Sequence, residues 1–159
     1  MNIDTILNDA IQLEIKTGEL YQLMWRLFPE NADIWAVFCA HQECRALKLT
    51  GAMQSVSLKE HGFHDHVGSN FDGIRRIMEK IDTIMADYRQ SVPAKKEALT
   101  RILEMELSLK EIYFGLAECL PLNTVVIEIL RDNIAENKMH TDTIRKMHHN
   151  LGCAINTPY

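Results

Sequence analysis

Glycine and proline are scarce in this chain, 7 and 4 among 159 residues, which leaves few points where a regular element must stop. No segment alternates apolar and polar with a period of two, so no strand is required. There is no basic run, and the formal net charge is −5. That balance argues against nucleic acid or an anionic membrane surface as the partner. The opening MNIDTILNDAIQLEIK has acidic residues early and polar residues throughout; it reads as neither a signal peptide nor a membrane span. The four cysteines, Cys39, Cys44, Cys119 and Cys153, form no CxxC pair and no disulfide-like spacing. They are expected to be mostly buried thiols in a reducing cytoplasm.

What the chain has in quantity is helical periodicity. Apolar residues recur every three or four positions along Ile3, Ile6, Leu7, Ala10, Leu13, Leu20, Tyr21, Met24, Leu27 and Phe28, until Pro29 breaks the pattern. Asn31 or Asp33 then suits a helix N-cap. The periodicity predicts four long helices over about 3–28, 32–58, 93–119 and 123–150, in one domain. The crossover over about 59–92 holds a shorter helix at 73–89. HGFHDHVGSNFDG, residues 61–73, is the clearest loop signal. Pro93 suits the start of the third long helix and Asn123 the cap of the fourth, with Gly152 as a terminator. Short connections at 29–33 and 120–123 make each helix pair antiparallel. Two hairpins joined by a long crossover is the connectivity of ferritin-like bundles, the expected all-α fold; an up-down bundle with a stray short helix is the alternative.

Each long apolar stripe is interrupted near its middle by polar residues. Glu14 stands in the first, Gln42 and Arg45 in the second, Glu106 in the third, and Asn137 and His140 in the fourth. Residues three apart share a helix face, so Gln42 with Arg45, and Asn137 with His140, point the same way. A single polar residue in such a seam often only fixes register. Four helices interrupted at comparable depth predict one polar cluster in the core, because every buried polar atom needs a partner. The two halves also resemble each other. AIQLEIKTGELY, residues 10–21, aligns with ILEMELSLKEIY, residues 102–113. This matches Glu14 to Glu106, Glu19 to Glu111 and Tyr21 to Tyr113. AHQECR, residues 40–45, aligns with AENKMH, residues 135–140, matching Gln42 to Asn137 and Arg45 to His140. The pattern is that of a duplicated helical hairpin.

On these residues, and above all LEMELSLKEIY, the chain resembles the rubrerythrin branch of the ferritin-like di-iron carboxylate proteins. In that family each half supplies one Glu and then a Glu-x-x-His pair, and the six side chains hold two metal ions. The resemblance implies metal positions at Glu14, Gln42 and Arg45 in the first half and at Glu106, Asn137 and His140 in the second. Both Glu-x-x-His pairs are altered here, to Gln42-x-x-Arg45 and Asn137-x-x-His140. Only Glu14, Glu106 and His140 keep ligand chemistry. A guanidinium has no lone pair to offer a metal and does not deprotonate. Arg45 is expected instead to pair with Glu14 or Glu106, standing where a metal would stand.

The expected function follows: a scaffold or binding protein without a catalytic role and without a cofactor, its metal centre replaced by an ion cluster. The alternative is an iron- or manganese-binding oxidoreductase or iron-handling protein with a reduced ligand set, in which Glu136 or His41 joins Glu14, Glu106 and His140. Tyr21 and Tyr113 would neighbour the site, and their ordinary role is core packing with the hydroxyl bonded to a carboxylate. A further metal site is conceivable at His61, His64 and His66, with Asp65 or with His148 and His149. Trp25 and Trp35 bracket the first turn and are expected to pack. The resemblance implies a homodimer, with a face around Trp25 or the 74–88 helix available for it.

Overall fold

The computed structural model describes residues 3–55, 67–119 and 124–153. Among these residues the chain forms five α-helices and no strand. They are α1 (Ile3–Leu27), α2 (Ala32–Ser55), α3 (Val67–Gln90), α4 (Lys95–Cys119) and α5 (Thr124–Cys153), with a 3-10 turn at Pro29–Asn31 between the first two. Of the loop expected over 61–73, residues 67–73 are instead the first turns of α3, because the apolar face of that helix reaches back to its N-terminal turns. Residues 61–66, the cap at Asn123 and positions 56–58 of the second helix lie outside the described residues.

Local chemistry explains the boundaries. Pro29 disfavours helical backbone at the residue before it, and Phe28 leaves the helix at φ −130°, ψ 67°. Its amide still closes the last turn on Met24 O at 2.9 Å, and its carbonyl accepts from Asn31 N at 3.1 Å to form the 3-10 turn. Asp4 in the first turn of α1 and Arg26 in the last complement the helix dipole. Asn31 stands immediately before α2, yet its buried Oδ1 has no hydrogen-bond partner, so it does not cap through its side chain. Pro93 precedes α4, whose first turn is closed by Ala98 N on Ala94 O at 3.0 Å. Gly152 does not end α5, which continues to Cys153.

The helices adjoin in the cyclic order α1, α2, α5, α4, α3 and back to α1. Ion pairs between neighbours give the directions. Asp9 meets Arg75 and Lys16 meets Asp82, so α3 runs parallel to α1. Lys80 with Glu104 and Asp87 with Arg101 set α4 antiparallel to α3. His41 against His140 and Lys48 against Asp132 set α5 antiparallel to α2. A ring with an odd number of helices cannot alternate direction throughout, and the parallel α1/α3 contact is where alternation fails. The ion pairs here lie at the surface and report geometry; a surface pair is worth only about 0–1 kcal/mol.

The 73–89 segment is therefore more than a short helix in a connection. Helix α3 is 24 residues long, about 36 Å at 1.5 Å per residue, and carries the chain from the end where α2 finishes to the end where α4 starts. It buries Ile74, Ile77, Ile81, Ile84, Met85 and Tyr88, one apolar face spaced by three and four, against α1 and α4. Ile81, fully buried, is a test of that packing. Ile81→Ala is expected to cost about 2–3 kcal/mol by urea unfolding, whereas a loosely attached crossover would lose almost nothing.

The tryptophans and the described thiols divide between core and surface. Trp35 is buried as expected, but Trp25 is 43% exposed at the outer side of the α1/α2 hairpin, because it lies off the buried stripe of Tyr21, Met24 and Phe28. The thiols are not uniformly buried: Cys39 is buried and Cys44 exposed, both free.

Candidate functional site

Four helices bring their polar interruptions into one region of the interior. Glu14 comes from α1, Gln42 and Arg45 from α2, Glu106 and Tyr113 from α4, and Asn133, Asn137 and His140 from α5. None of these is more than 1% exposed. Helix α3 contributes only apolar surface and Tyr88 to the core. Thr17, also buried, is satisfied within its own helix by Leu13 O at 2.8 Å.

Arg45 is the centre. Its Nε donates to Glu136 Oε2 at 2.8 Å, Nη1 to Asn137 Oδ1 at 2.8 Å, and Nη2 to the carbonyl oxygen of Asn133 at 3.3 Å. Glu14 Oε2 lies 3.8 Å from Nη1, an ion pair without a hydrogen bond. Arg45 thus pairs with Glu14, one of its two expected partners, while its hydrogen bonds all go to α5, the helix directly adjoining α2. Burial alone would weaken the guanidinium's hold on its proton; the Glu14 carboxylate, Tyr113 and Glu136 outweigh it and raise the pKa further.

On one side of Arg45, Glu14 Oε1 accepts from the Tyr113 hydroxyl and from Asn133 Nδ2 at 3.2 Å. Burial still dominates and pushes the Glu14 carboxyl up to about 7 against the pull of Arg45 and Tyr113. On the other side, Asn137 passes the contact on, with Nδ2 donating to Glu106 Oε2 at 2.7 Å. Glu106 Oε1 meets His140 Nδ1 at 3.1 Å, and His140 Nε2 meets His41 Nδ1 at 3.0 Å. Burial raises Glu106 well above the usual carboxylate range. Burial and the charge of Arg45 pull His140 down to about 3. With His140 neutral, the geometry suits a protonated Glu106 donating to Nδ1 and His140 donating from Nε2 to half-buried His41. The His140 ring is held by Phe38, stacked at 3.9 Å between centroids, and by Tyr21 edge-on at 6.0 Å.

The two matched halves therefore diverge. Tyr113 bonds a carboxylate, as a core tyrosine should. Its counterpart Tyr21 packs against Trp35 and Phe38, and its buried hydroxyl has no hydrogen-bond partner. Asn137 links Arg45 to Glu106, whereas both polar atoms of its counterpart Gln42 are buried without a partner. Gln42 faces Gly18, where an added Cβ would meet Gln42 Cβ at 3.4 Å.

Asn133 was not singled out in the sequence, although it lies four residues before Asn137 and seven before His140, on the same stripe. The neighbouring Ile134, apolar and four residues after Leu130, masks it in the sequence, and the structure leaves Ile134 only partly buried. The role of Glu136 as a partner of Arg45 had no periodic signal, because it lies at the edge of the stripe. His61, His64 and His66 lie outside the described residues; His148 contacts the Thr100 hydroxyl at 3.2 Å. Among the described residues no group of three or more His, Cys, Asp or Glu side chains is arranged to hold a metal ion, and none of the helices is long and apolar enough to cross a membrane. No family model, curated protein or solved structure matches the chain.

Proposed function

We propose that this chain is a ferritin-like bundle of rubrerythrin type, with α1, α2, α4 and α5 as its four bundle helices and α3 as the crossover, in which a hydrogen-bonded ion cluster has taken the place of the two metal ions. The protein then serves as a scaffold or binding protein and not as an oxidase. The observation that carries this reading is the position of Arg45, 1% exposed and bonded among Glu136, Asn137 and Asn133 with Glu14 beside it. All six residues that the resemblance places at ligand positions are buried in the same interior region.

The donor set does not fit two divalent ions. Their four positive charges are normally met by carboxylates, and here Arg45 adds a fifth positive charge in their midst. Gln42 and Asn137 offer neutral carbonyl oxygens, and the Asn137 oxygen is already held by Arg45. Glu106 and His140, two of the three retained ligand types, are occupied with each other.

The test is metal content by plasma mass spectrometry on untagged protein, before and after anaerobic loading with ferrous and manganous ions. Metal far below one ion per chain after loading is expected. Stoichiometric iron or manganese that disappears in Glu106→Ala would overturn the reading in favour of a metal-dependent oxidoreductase or iron-handling protein.

A further inference from the structure

Helix α2 is apolar on two opposite sides. One side, Trp35, Phe38, Gln42, Arg45, Leu49 and Ala52, is buried in the ring. The other carries Val37, Ala40, Cys44 and Leu47, all exposed, with Val37 47% and Leu47 73% accessible. Exposed Gly51 continues this side with nothing within 4 Å of an added Cβ. At 100° per residue these positions fall within one quadrant of the helix, and the only charge on it is Asp33 at the N-terminal end. A second apolar side left exposed among the described residues is suited to a further burial partner.

The spacing on that side is symmetrical. Val37 and Leu47 lie five residues either side of position 42, and Ala40 and Cys44 lie two residues either side of it. The order is large, small, small, large, and it reads the same along the helix in both directions. A two-fold contact requires a surface that complements itself. Setting two such helices antiparallel places Val37 opposite Leu47 and Ala40 opposite Cys44. The small residues then lie at the crossing, where they allow the axes to reach the close end of the usual ~8–10 Å separation. The ends also match. Asp33 is brought within a turn of Lys48 of the second copy, and the helix dipoles oppose. Lys48, 41% exposed, is held by Asp132 at no closer than 3.8 Å, which leaves room for a second carboxylate.

We infer that the outer face of α2, Val37–Ala40–Cys44–Leu47, is the self-association surface of this protein, pairing with the same face of a second copy in antiparallel register about residue 42. This goes beyond the reading of the polar core and does not depend on it. Of the two faces suggested by the sequence, the exposed residues of α3 are largely charged, with Arg75, Arg76, Glu79, Asp82 and Asp87 exposed, whereas the face around Trp25 adjoins this one, since Trp25 and Ala40 line the same cleft.

The full chain in sedimentation equilibrium should show a mass twice its 18.3 kDa. Leu47→Glu should weaken the association at least about 30-fold with helicity unchanged. Phe114→Glu, at another exposed apolar residue, on α4 (55% accessible), should leave it intact. Ala40→Cys, made together with Cys119→Ser and Cys153→Ser, reads the register directly. Under a copper-phenanthroline oxidant the introduced thiol should cross-link to Cys44 of the second copy, giving a reducible covalent dimer. A chain that stays monomeric at high concentration overturns the inference. So does a dimer indifferent to Leu47→Glu that forms no such cross-link, because the copies would then meet elsewhere.

Discussion

Replacing Arg45 with alanine is expected to lower the stability of the fold by about 3–5 kcal/mol, a shift of roughly 10 °C in Tm for a chain of this length. The guanidinium is buried, and its removal leaves Asn137 Oδ1 without its donor and Glu14 without its ion pair. Glu136, 31% exposed, turns to water at little cost. The loss therefore concentrates on Glu14, whose Oε2 has no hydrogen bond in addition to the ion pair. This identifies a second variant. Adding Glu14→Gln to Arg45→Ala should recover part of the stability, because the stranded carboxyl is gone, while Glu14→Gln alone should be mildly destabilising. Urea unfolding of the four proteins gives the coupling energy, expected at about 1–3 kcal/mol. An Arg45→Ala protein as stable as the parent would mean that the cluster does not hold the helices together, and the proposed role of Arg45 would be abandoned.

The stability should also pass through a maximum on the acidic side of neutrality. Folded Glu14 keeps its proton up to about 7 because burial outweighs Arg45 and Tyr113, whereas an unfolded Glu releases it near ~4.3. The folded state thus binds more protons in that window. Glu14 contributes stability below it, and this contribution is lost as pH rises through about 7, by roughly 3 kcal/mol in all. Glu106, raised in the same direction by burial, steepens the loss. His140 has the opposite sign. Its folded pKa is pulled down to about 3 by burial and Arg45, below the ~6.5 of an unfolded imidazole. Its contribution is complete above that value and is lost as pH falls towards 3. Where the windows overlap, Glu14 and His140 nearly cancel, and His41, also held down by burial and by His140, works against Glu106. Above the ~6.5 of an unfolded imidazole only the carboxyl losses remain, so stability should decline as pH rises through neutrality. Urea midpoints across pH 4–8.5 measure the profile. Glu106→Gln should flatten the alkaline limb and leave the acidic limb in place. A profile that rises through neutrality would show that the two carboxyls are not held in the burial described.

Helix existence and the depth of the polar interruptions were legible from spacing alone, because apolar residues at three and four positions have only one way to bury a common face. The termination at Pro29 follows from backbone chemistry within three residues. Glu14, Gln42, Arg45, Glu106, Asn137 and His140 could be placed in the core for the same reason: each interrupts a stripe that must be buried. Asn133 was equally legible by spacing, and only the adjacent Ile134 concealed it.

Partners are another matter, because hydrogen bonds across the interior depend on which helices adjoin and at what height. The chain order does not state that α2 lies against α5, so it does not state that Arg45 would choose Glu136, Asn137 and Asn133 over Glu106. Nor does it state that His41 would meet His140. The standing of α3 as a full member of the ring is likewise a tertiary fact: its amphipathic stripe shows that it must bury a face, while the groove between α1 and α4 that receives it exists only after the other helices have packed. The sequence by itself determined that polar groups would be buried together. The tertiary structure decided how they satisfy one another, because burial is set by local periodicity and pairing by the relative position of segments about ninety residues apart in the chain.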